Sequence, residues 1–143
     1  MKSIVLLAAV LTVLSVQLVR ATDDIESLID SCSKVVEGMT EDLKARYRAN
    51  AFPDDPVTHC FVRCLGLTLN LYDDEEGVDL HANWEHLGKV DDEIEFIAKH
   101  RDCLDNRNLA LIDNPCDRAY SAFQCLKEEY GMDQSSSNST SSS

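Results

Sequence analysis

The sequence predicts an all-helical domain of about six helices, and three observations support this fold class. Apolar residues recur every three or four positions in several segments, and no segment shows the alternation with period two that is typical of a strand. Polar residues that favour helix starts precede these segments, and two of them are followed by proline. Six cysteines lie in the same region of a 143-residue chain, whose length suits one small domain.

The first 21 residues are interpreted as a secretory signal peptide that precedes the folded domain. Lys2 is followed by a mostly apolar run over residues 4–18, and small or aliphatic residues follow it where a signal peptidase cleaves. About 15 apolar residues are too few for a membrane anchor, which needs about 20. Removing the segment leaves 11 basic and 26 acidic residues, a formal charge of −15. This charge argues against nucleic acid and membrane insertion and predicts a monomer or a weak homodimer.

Two helices are predicted in the first third of the domain. Asp23 or Asp24 is positioned to cap the first helix, which is expected to end at Gly38. Thr40 is positioned to cap the second, which is expected to run to about Asn50. The apolar face of the first helix carries Ile25, Leu28, Ile29, Cys32, Val35 and Val36.

The stretch from Asp55 to Tyr72 is predicted to be the helix around which the rest of the chain is organised. Asp55 followed by Pro56 favours a helix start, and apolar residues then recur at helical spacing. Cys60 and Cys64 lie one turn apart on the same face, too far apart along the axis to bond to each other. We therefore expect this helix to be tied to two other elements. Six cysteines in a short exported chain predict three disulfides, with 15 possible connectivities.

Three further helices are predicted after the organising helix. Asp79 is placed to cap the fourth, and Asp91 or Asp92 opens the fifth. Asn114, followed by Pro115, opens the sixth. The predicted inner faces are Leu80, Trp84 and Leu87 on the fourth helix, Val90, Ile94, Ile97, Ala98, Arg101 and Leu104 on the fifth, and Cys116, Ala119, Tyr120, Phe123 and Lys127 on the sixth.

Catalytic and metal sites are not indicated. The cysteines include no Cys-x2-Cys pair, and His81 and His86 are five positions apart, which places them on different sides of a helix. The acidic turn at residues 73–77 lacks the ligand spacing of an EF-hand. Serine-hydrolase and zinc-protease motifs are also missing from the sequence. We expect no enzymatic activity, no metal and no cofactor, and we expect His59 and His100 at the surface.

The composition changes after Met132. Residues 133–143 are mostly serine and contain no apolar residue, which predicts a disordered tail behind a domain at residues 22–132. Asn138 begins an Asn-Ser-Thr glycosylation acceptor in this tail. The apolar side chains available to close a site end earlier, with Leu126, Tyr130 and Met132.

The cysteine spacing Cys32-x27-Cys60-x3-Cys64-x38-Cys103-x12-Cys116-x8-Cys125 resembles that of insect odorant-binding proteins of the six-cysteine pheromone-binding and general-odorant-binding family. The helix order, the signal peptide and the acidic turn that ends at Gly77 agree with this resemblance. It implies a helical shell around an apolar cavity. It also implies the disulfide pairing Cys32 to Cys64, Cys60 to Cys116 and Cys103 to Cys125.

The resemblance also implies a secreted carrier that binds small hydrophobic molecules and delivers them through aqueous lymph to an olfactory receptor. The candidates for the pocket lining are Leu80, Trp84, Leu87, Ile94, Ile97, Tyr120 and Phe123. Tyr72 or Tyr120 is a candidate for a hydrogen bond to a ligand, and Trp84, the only tryptophan, is expected to report binding by its emission. The alternative is a binder outside olfaction, such as a salivary scavenger of biogenic amines or a carrier in reproductive or other secretions.

Overall fold

The structure, a computed structural model, describes residues 24–132 and contains six helices in this range. The predicted signal peptide, the Ser-rich tail and Asn138 lie outside the described residues. The elements are α1 (24–33), α2 (Glu41–Arg48), α3 (Pro56–Thr68), β1 (Tyr72–Asp73), β2 (Gly77–Val78), α4 (Leu80–His86), α5 (Glu93–Asp105), a 3-10 turn (Leu109–Leu111) and α6 (Pro115–Phe123). None of the helices in the described range is long and apolar enough to cross a membrane.

The predicted helix starts are confirmed from α2 onwards. The Asp55 carboxylate accepts a hydrogen bond from the amide of Thr58 and so caps α3, with Pro56 in the first turn. The side chains of Thr40, Asp79, Asp92 and Asn114 cap α2, α4, α5 and α6 in the same way. These caps satisfy backbone amides that the first turn of a helix leaves without partners.

The three disulfides join the pairs that the resemblance implied. Cys32 bonds to Cys64 with 5.9 Å between their Cα atoms, and Cys60 bonds to Cys116 across 4.5 Å. The third bridge joins Cys103 to Cys125, with 5.8 Å between the Cα atoms. Helix α3 is therefore tied to α1 and to α6, as the spacing of its two cysteines predicted.

Three clusters of buried side chains form the core. One lies between α1, α2 and α3, where the Tyr47 and Phe61 rings stack with their centroids 4.1 Å apart. A second lies where Tyr72 of β1 packs against α6, which is the main neighbour of α3. The third lies between α4, α5 and the chain that follows α6. The buried members of the first cluster are Ile29, Cys32, Tyr47 and Phe61, those of the second are Tyr72, Ala119 and Ala122, and those of the third are Leu80, Phe96 and Leu126.

The inner face of α5 differs from the predicted one. Phe96 and His100 are buried, whereas Ile94 is 79% exposed and Val90 is 56% exposed. Phe96 and His100 are four residues apart and share one face, on which Phe96 packs against Leu80 and Leu126. The expectation that His100 lies at the surface is wrong, because its ring packs on Phe96 and its Nδ1 lies 2.9 Å from the carbonyl oxygen of Cys125.

Two smaller features also differ from expectation. Helix α1 ends at residue 33, and turns occupy the stretch up to Gly38, where φ is +82°. Two strands of two residues each form a hairpin that pairs Tyr72 with Val78 and Asp73 with Gly77. The sequence pattern predicts no strand at these residues. The hairpin is too short for alternation to show, and Asp73 forms its turn by accepting hydrogen bonds from the amides at 75 and 76.

Candidate functional site

A cavity of about 390 Å³, partly open to solvent, lies between α1, α2, α3, α4, α6 and the hairpin. Residues 124–132, hereafter the C-terminal segment, form part of its wall. Most of the wall is apolar, being formed by Ile25, Leu28, Phe52, Val62, Leu65, Leu69, Leu71, Val78, Ala119, Phe123, Leu126 and Met132. A wall of this kind removes apolar surface of a bound molecule from water, which is the main driving force for binding such molecules.

The C-terminal segment is fastened to the rest of the domain at several points. The Tyr130 hydroxyl donates a 2.7 Å hydrogen bond to Oδ1 of Asn83 on α4, and the Tyr130 carbonyl accepts one from Asn50 at 3.0 Å. His100 Nδ1 donates to the carbonyl of Cys125, the residue that the third disulfide fixes to α5. Because Leu126, Tyr130 and Met132 all line the cavity, these bonds hold one side of it closed.

Two phenols in the wall have hydroxyl groups that are already engaged. Thr58 donates to the Asp55 carboxylate at 2.7 Å, so in its 2.9 Å contact with Tyr47 the Tyr47 hydroxyl must be the donor. Burial raises the pKa of Tyr47, more than its bond to Thr58 lowers it, and burial raises the pKa of Tyr130 to about 12. Both phenols are therefore neutral at physiological pH.

Tyr72 contributes to the wall differently. It packs against α6, and burial raises the pKa of its hydroxyl. Its oxygen is enclosed by protein atoms and has no hydrogen-bond partner among the described residues. An atom facing a cavity of this size would be accessible to water-sized molecules, so Tyr72 lines the cavity through its ring rather than through its hydroxyl.

The charged and amide groups at the rim are exposed. Arg48, Asn50 and His86 line the cavity and are exposed to solvent, and Arg48 forms an ion pair with Glu26. Within the described range, no Asp or Glu side chain lines the cavity. The interior is thus suited to a neutral molecule.

The predicted lining residues fall into two groups. Phe123 lines the cavity, but the other six lie outside its wall. Leu80, Trp84, Leu87 and Ile97 pack in the third core cluster, and Ile94 points to solvent. Tyr120 stacks on His59 with ring centroids 4.0 Å apart and donates its hydroxyl to the Phe52 carbonyl. Whether any of the seven contacts a ligand remains a prediction.

Most of the lining was not identified from sequence. The α1 and α3 residues of the wall, such as Leu28 and Leu65, belong to apolar faces that were recognised, but periodicity does not distinguish a packed core from a cavity wall. The available signal was the abrupt loss of apolar residues after Met132. It marked Leu126, Tyr130 and Met132 as the last side chains able to close a site, and all three line the cavity.

Comparisons with known proteins agree with this architecture. The PBP/GOBP family model matches residues 16–129. General odorant-binding protein 99b of Drosophila melanogaster is 28% identical over 112 residues, which cover 76% of this chain and 73% of the relative. A crystal structure of Anopheles gambiae odorant-binding protein 22a is 64% identical, with a TM-score of 0.70 over 73% of this chain and 97% of that one. A second structure of that protein, with bound odorant cyclohexanone, is 64% identical with a TM-score of 0.70, over 73% of this chain and 90% of that one.

Proposed function

This chain belongs to the PBP/GOBP family of insect odorant-binding proteins, which bind small ligands, and on that premise we propose that it is a secreted carrier of neutral, apolar odorants or pheromones. In this proposal it takes up its ligand in the cavity and carries it through aqueous lymph to olfactory receptors. The observation that carries the proposal is the cavity of about 390 Å³ with its mainly apolar wall.

The volume of the cavity limits the size of the ligand. A water molecule occupies about 30 Å³ in the liquid, so the cavity holds roughly 13 groups of that size. A methylene group is of comparable size, and we therefore propose compact ligands of about 10 to 15 non-hydrogen atoms. Cyclohexanone, the odorant bound to the Anopheles relative, is likewise compact and neutral but is smaller than this range.

The charges around the cavity favour neutral ligands over protonated amines. A buried ammonium group needs a carboxylate or several acceptors to offset its lost hydration. Among the described lining residues the only charged side chain is the cationic Arg48, apart from His86 if protonated. The cavity therefore gives no support to the alternative of an amine scavenger, in spite of the acidic net charge of the chain.

The direct test is displacement of a fluorescent probe by neutral alcohols, esters, aldehydes and ketones, compared with biogenic amines. We expect micromolar affinity for the neutral compounds, about 8 kcal/mol, which is about 0.6 kcal/mol per atom for 13 atoms and lies within the usual range. Phe123→Ala should weaken binding because the ring lines the cavity, whereas Ile94→Ala, at a solvent-exposed position, should not. Tight binding of amines but not of neutral compounds would reject the proposal, and localisation of the transcript would test the olfactory role.

A further inference from the structure

The buried amide of Asn83 has a fixed orientation. Its Nδ2 donates to the carbonyl oxygens of Leu71 at 3.0 Å and of Asp79 at 2.8 Å. Rotating the amide by half a turn would place Oδ1 against these two carbonyls, so Nδ2 must face them. Asn83 is 3% exposed and lines the cavity, and its Oδ1 accepts the hydroxyl hydrogen of Tyr130. Both N–H groups of Asn83 and the O–H group of Tyr130 are thus used within the protein.

Acceptor capacity remains at this pair after the donors are used. The Tyr130 oxygen keeps lone pairs, and Oδ1 of Asn83 has accepted only one hydrogen bond among the described residues. The Tyr47 hydroxyl hydrogen is used by Thr58, and the Tyr72 hydroxyl is enclosed by protein. The remaining donors of the wall belong to exposed residues at the rim, where water competes for them. The Tyr72 hydroxyl has no partner among the described residues, but it does not reach the cavity. The buried polar part of the wall therefore offers a ligand acceptors and no accessible free donor.

We propose that Asn83 and Tyr130 determine the ligand specificity of the cavity by favouring molecules that bring their own hydrogen-bond donor, namely alcohols and phenols, over ketones of the same shape. This inference rests on the proposed carrier function and narrows its ligand class. A hydroxyl group of the ligand donates to the Tyr130 oxygen or to Oδ1 of Asn83 without disturbing the bond between them.

A ketone oxygen at the same place has no equivalent partner. If Tyr130 keeps its bond to Asn83, the ketone oxygen is buried without a donor. If the Tyr130 hydroxyl turns to the ketone, Oδ1 of Asn83 loses its donor instead. Either way one buried acceptor is unpaired, which costs enough to lower affinity roughly fivefold or more.

The test compares cyclohexanol with cyclohexanone, which differ in the donor and little in shape. Displacement of one fluorescent probe from the full chain gives both dissociation constants. We expect cyclohexanol to bind roughly fivefold or more tightly. Equal binding, or tighter binding of the ketone, would overturn the inference while leaving the proposed carrier function intact. If neither compound nor any other neutral apolar compound displaces the probe, the carrier function itself is wrong.

Two variants separate this specificity role from a general effect on the wall. Tyr130→Phe removes the phenol oxygen but leaves Asn83 held by Leu71 and Asp79, with Oδ1 free to accept. The preference for cyclohexanol should therefore persist or increase in this variant. Tyr120→Phe removes a phenol outside the wall, whose hydroxyl donates to Phe52, and should leave the ratio of the two dissociation constants unchanged. Loss of the preference in Tyr130→Phe alone would assign the acceptor to the Tyr130 oxygen and overturn the role of Asn83. An equal change in both variants would overturn the role of both residues.

Discussion

The Cα atom of Gly66 lies so close to Tyr72 that a Cβ on Gly66 would stand 2.7 Å from the Cβ of Tyr72. Ordinary contacts between carbon atoms are about 3.5 to 4.0 Å. The absence of a side chain at Gly66 therefore allows the chain to leave α3 and return against it within a few residues. Both residues line the cavity, so this contact also shapes the wall.

Gly66→Ala is expected to destabilise the protein, although glycine to alanine in a helix interior usually stabilises by about 0.5 to 1 kcal/mol. Overpacking against Tyr72 costs typically about 1 to 3 kcal/mol, so we expect a net loss of about 1 to 2 kcal/mol in the free energy of unfolding. Urea denaturation of the variant and the unchanged protein measures this loss in the free energy of unfolding. Thr68→Ala, at an exposed position of the same helix, is the control and should change stability by less than about 0.5 kcal/mol. A variant at Gly66 as stable as the control would contradict the packing argument.

His59 is expected to make stability depend on pH. Its ring nitrogens lie 2.7 Å from carboxylate oxygens of Asp117 on α6 and of Asp54. Burial lowers the pKa of the imidazole, but the hydrogen bonds to Asp117 and Asp54 outweigh burial, so the pKa is raised above its usual 6.5. A raised pKa in the folded state means that the stabilisation is complete below about pH 6.5 and is lost as the pH rises through the raised value.

We therefore expect His59→Gln to cost more stability at about pH 5.5 than at about pH 8.5, by on the order of 1 kcal/mol. Urea denaturation of both proteins at both pH values gives this difference and removes the effects of other titrating groups. His86→Gln is the control, because that side chain is exposed at the rim and no ion pair holds it among the described residues. A His59 cost that is the same at both pH values would show that the two carboxylates do not stabilise the protonated ring.

The disulfides are expected to differ in what their loss affects. The Cys60–Cys116 bridge spans 56 residues, and the Cys103–Cys125 bridge spans 22. Loop-closure entropy gives contributions of about 4 and about 3.5 kcal/mol to the free energy of unfolding, so the two double-alanine variants should lose similar stability. Replacing Cys103 and Cys125 should lower ligand affinity more, because this bridge fixes the segment that closes the cavity. Unfolding and probe-displacement measurements on both variants test these two expectations. An equal loss of affinity in both variants would argue against a specific role for the C-terminal segment in binding.

The helix starts could be predicted because the signals are local. A cap such as Asp55 acts on amides within the next three residues, and the sequence shows both partners. The disulfide pairing is different: local spacing required two partners for α3, but the choice among the connectivities came from the family resemblance. The pairing depends on which helices approach each other in space, and no local pattern contains that information.

The cavity wall was predicted less well, for reasons that α5 makes plain. Ile94 and Phe96 are both apolar and lie on different faces, so the periodicity allowed either face to be buried. Phe96 is buried because its face meets Leu80 and Leu126, which are remote in sequence. His100 lies on the same face as Phe96. Because histidine is polar, this face showed a weaker hydrophobic pattern in the sequence than the face that carries Ile94. Tertiary packing therefore decided the orientation of the helix, and with it the place of Ile94.

Trp84 is expected to respond weakly to ligand, contrary to the expectation from sequence. Its indole Nε1 donates to the Asp91 carbonyl at 2.9 Å, and the Lys89 ammonium lies 5.3 Å from its ring centroid. Since its ring lies outside the cavity wall, a bound molecule should leave its emission maximum nearly unchanged while displacing an external probe. Unfolding in urea is the positive control for a shift. A large change on binding would mean that ligand reaches the cluster between α4 and α5.

The last prediction concerns which C-terminal residues ligand binding requires. We expect residues 130–132 to be required and the residues after Met132 to be dispensable. Truncation after Met132 removes only carboxylate, amide and hydroxyl side chains, which cost about 1 to 3 kcal/mol each to bury without partners and so make poor contacts for an apolar ligand. We expect the affinity at about pH 7 to change by less than about tenfold, or 1.4 kcal/mol.

Truncation after Glu129 also removes Tyr130 and Met132 from the wall, together with the bonds to Asn83 and Asn50, and should weaken binding by more than about tenfold. Keeping Glu129 preserves its ion pair with Lys99, so the two truncations differ mainly in the wall. Any loss of affinity near about pH 5 should persist in the chain that ends at Met132, since all four histidines are retained. Probe displacement at both pH values compares the three chains. If removing residues 133–143 abolishes the pH response or binding at neutral pH, that segment takes part in the site and the boundary at Met132 is wrong.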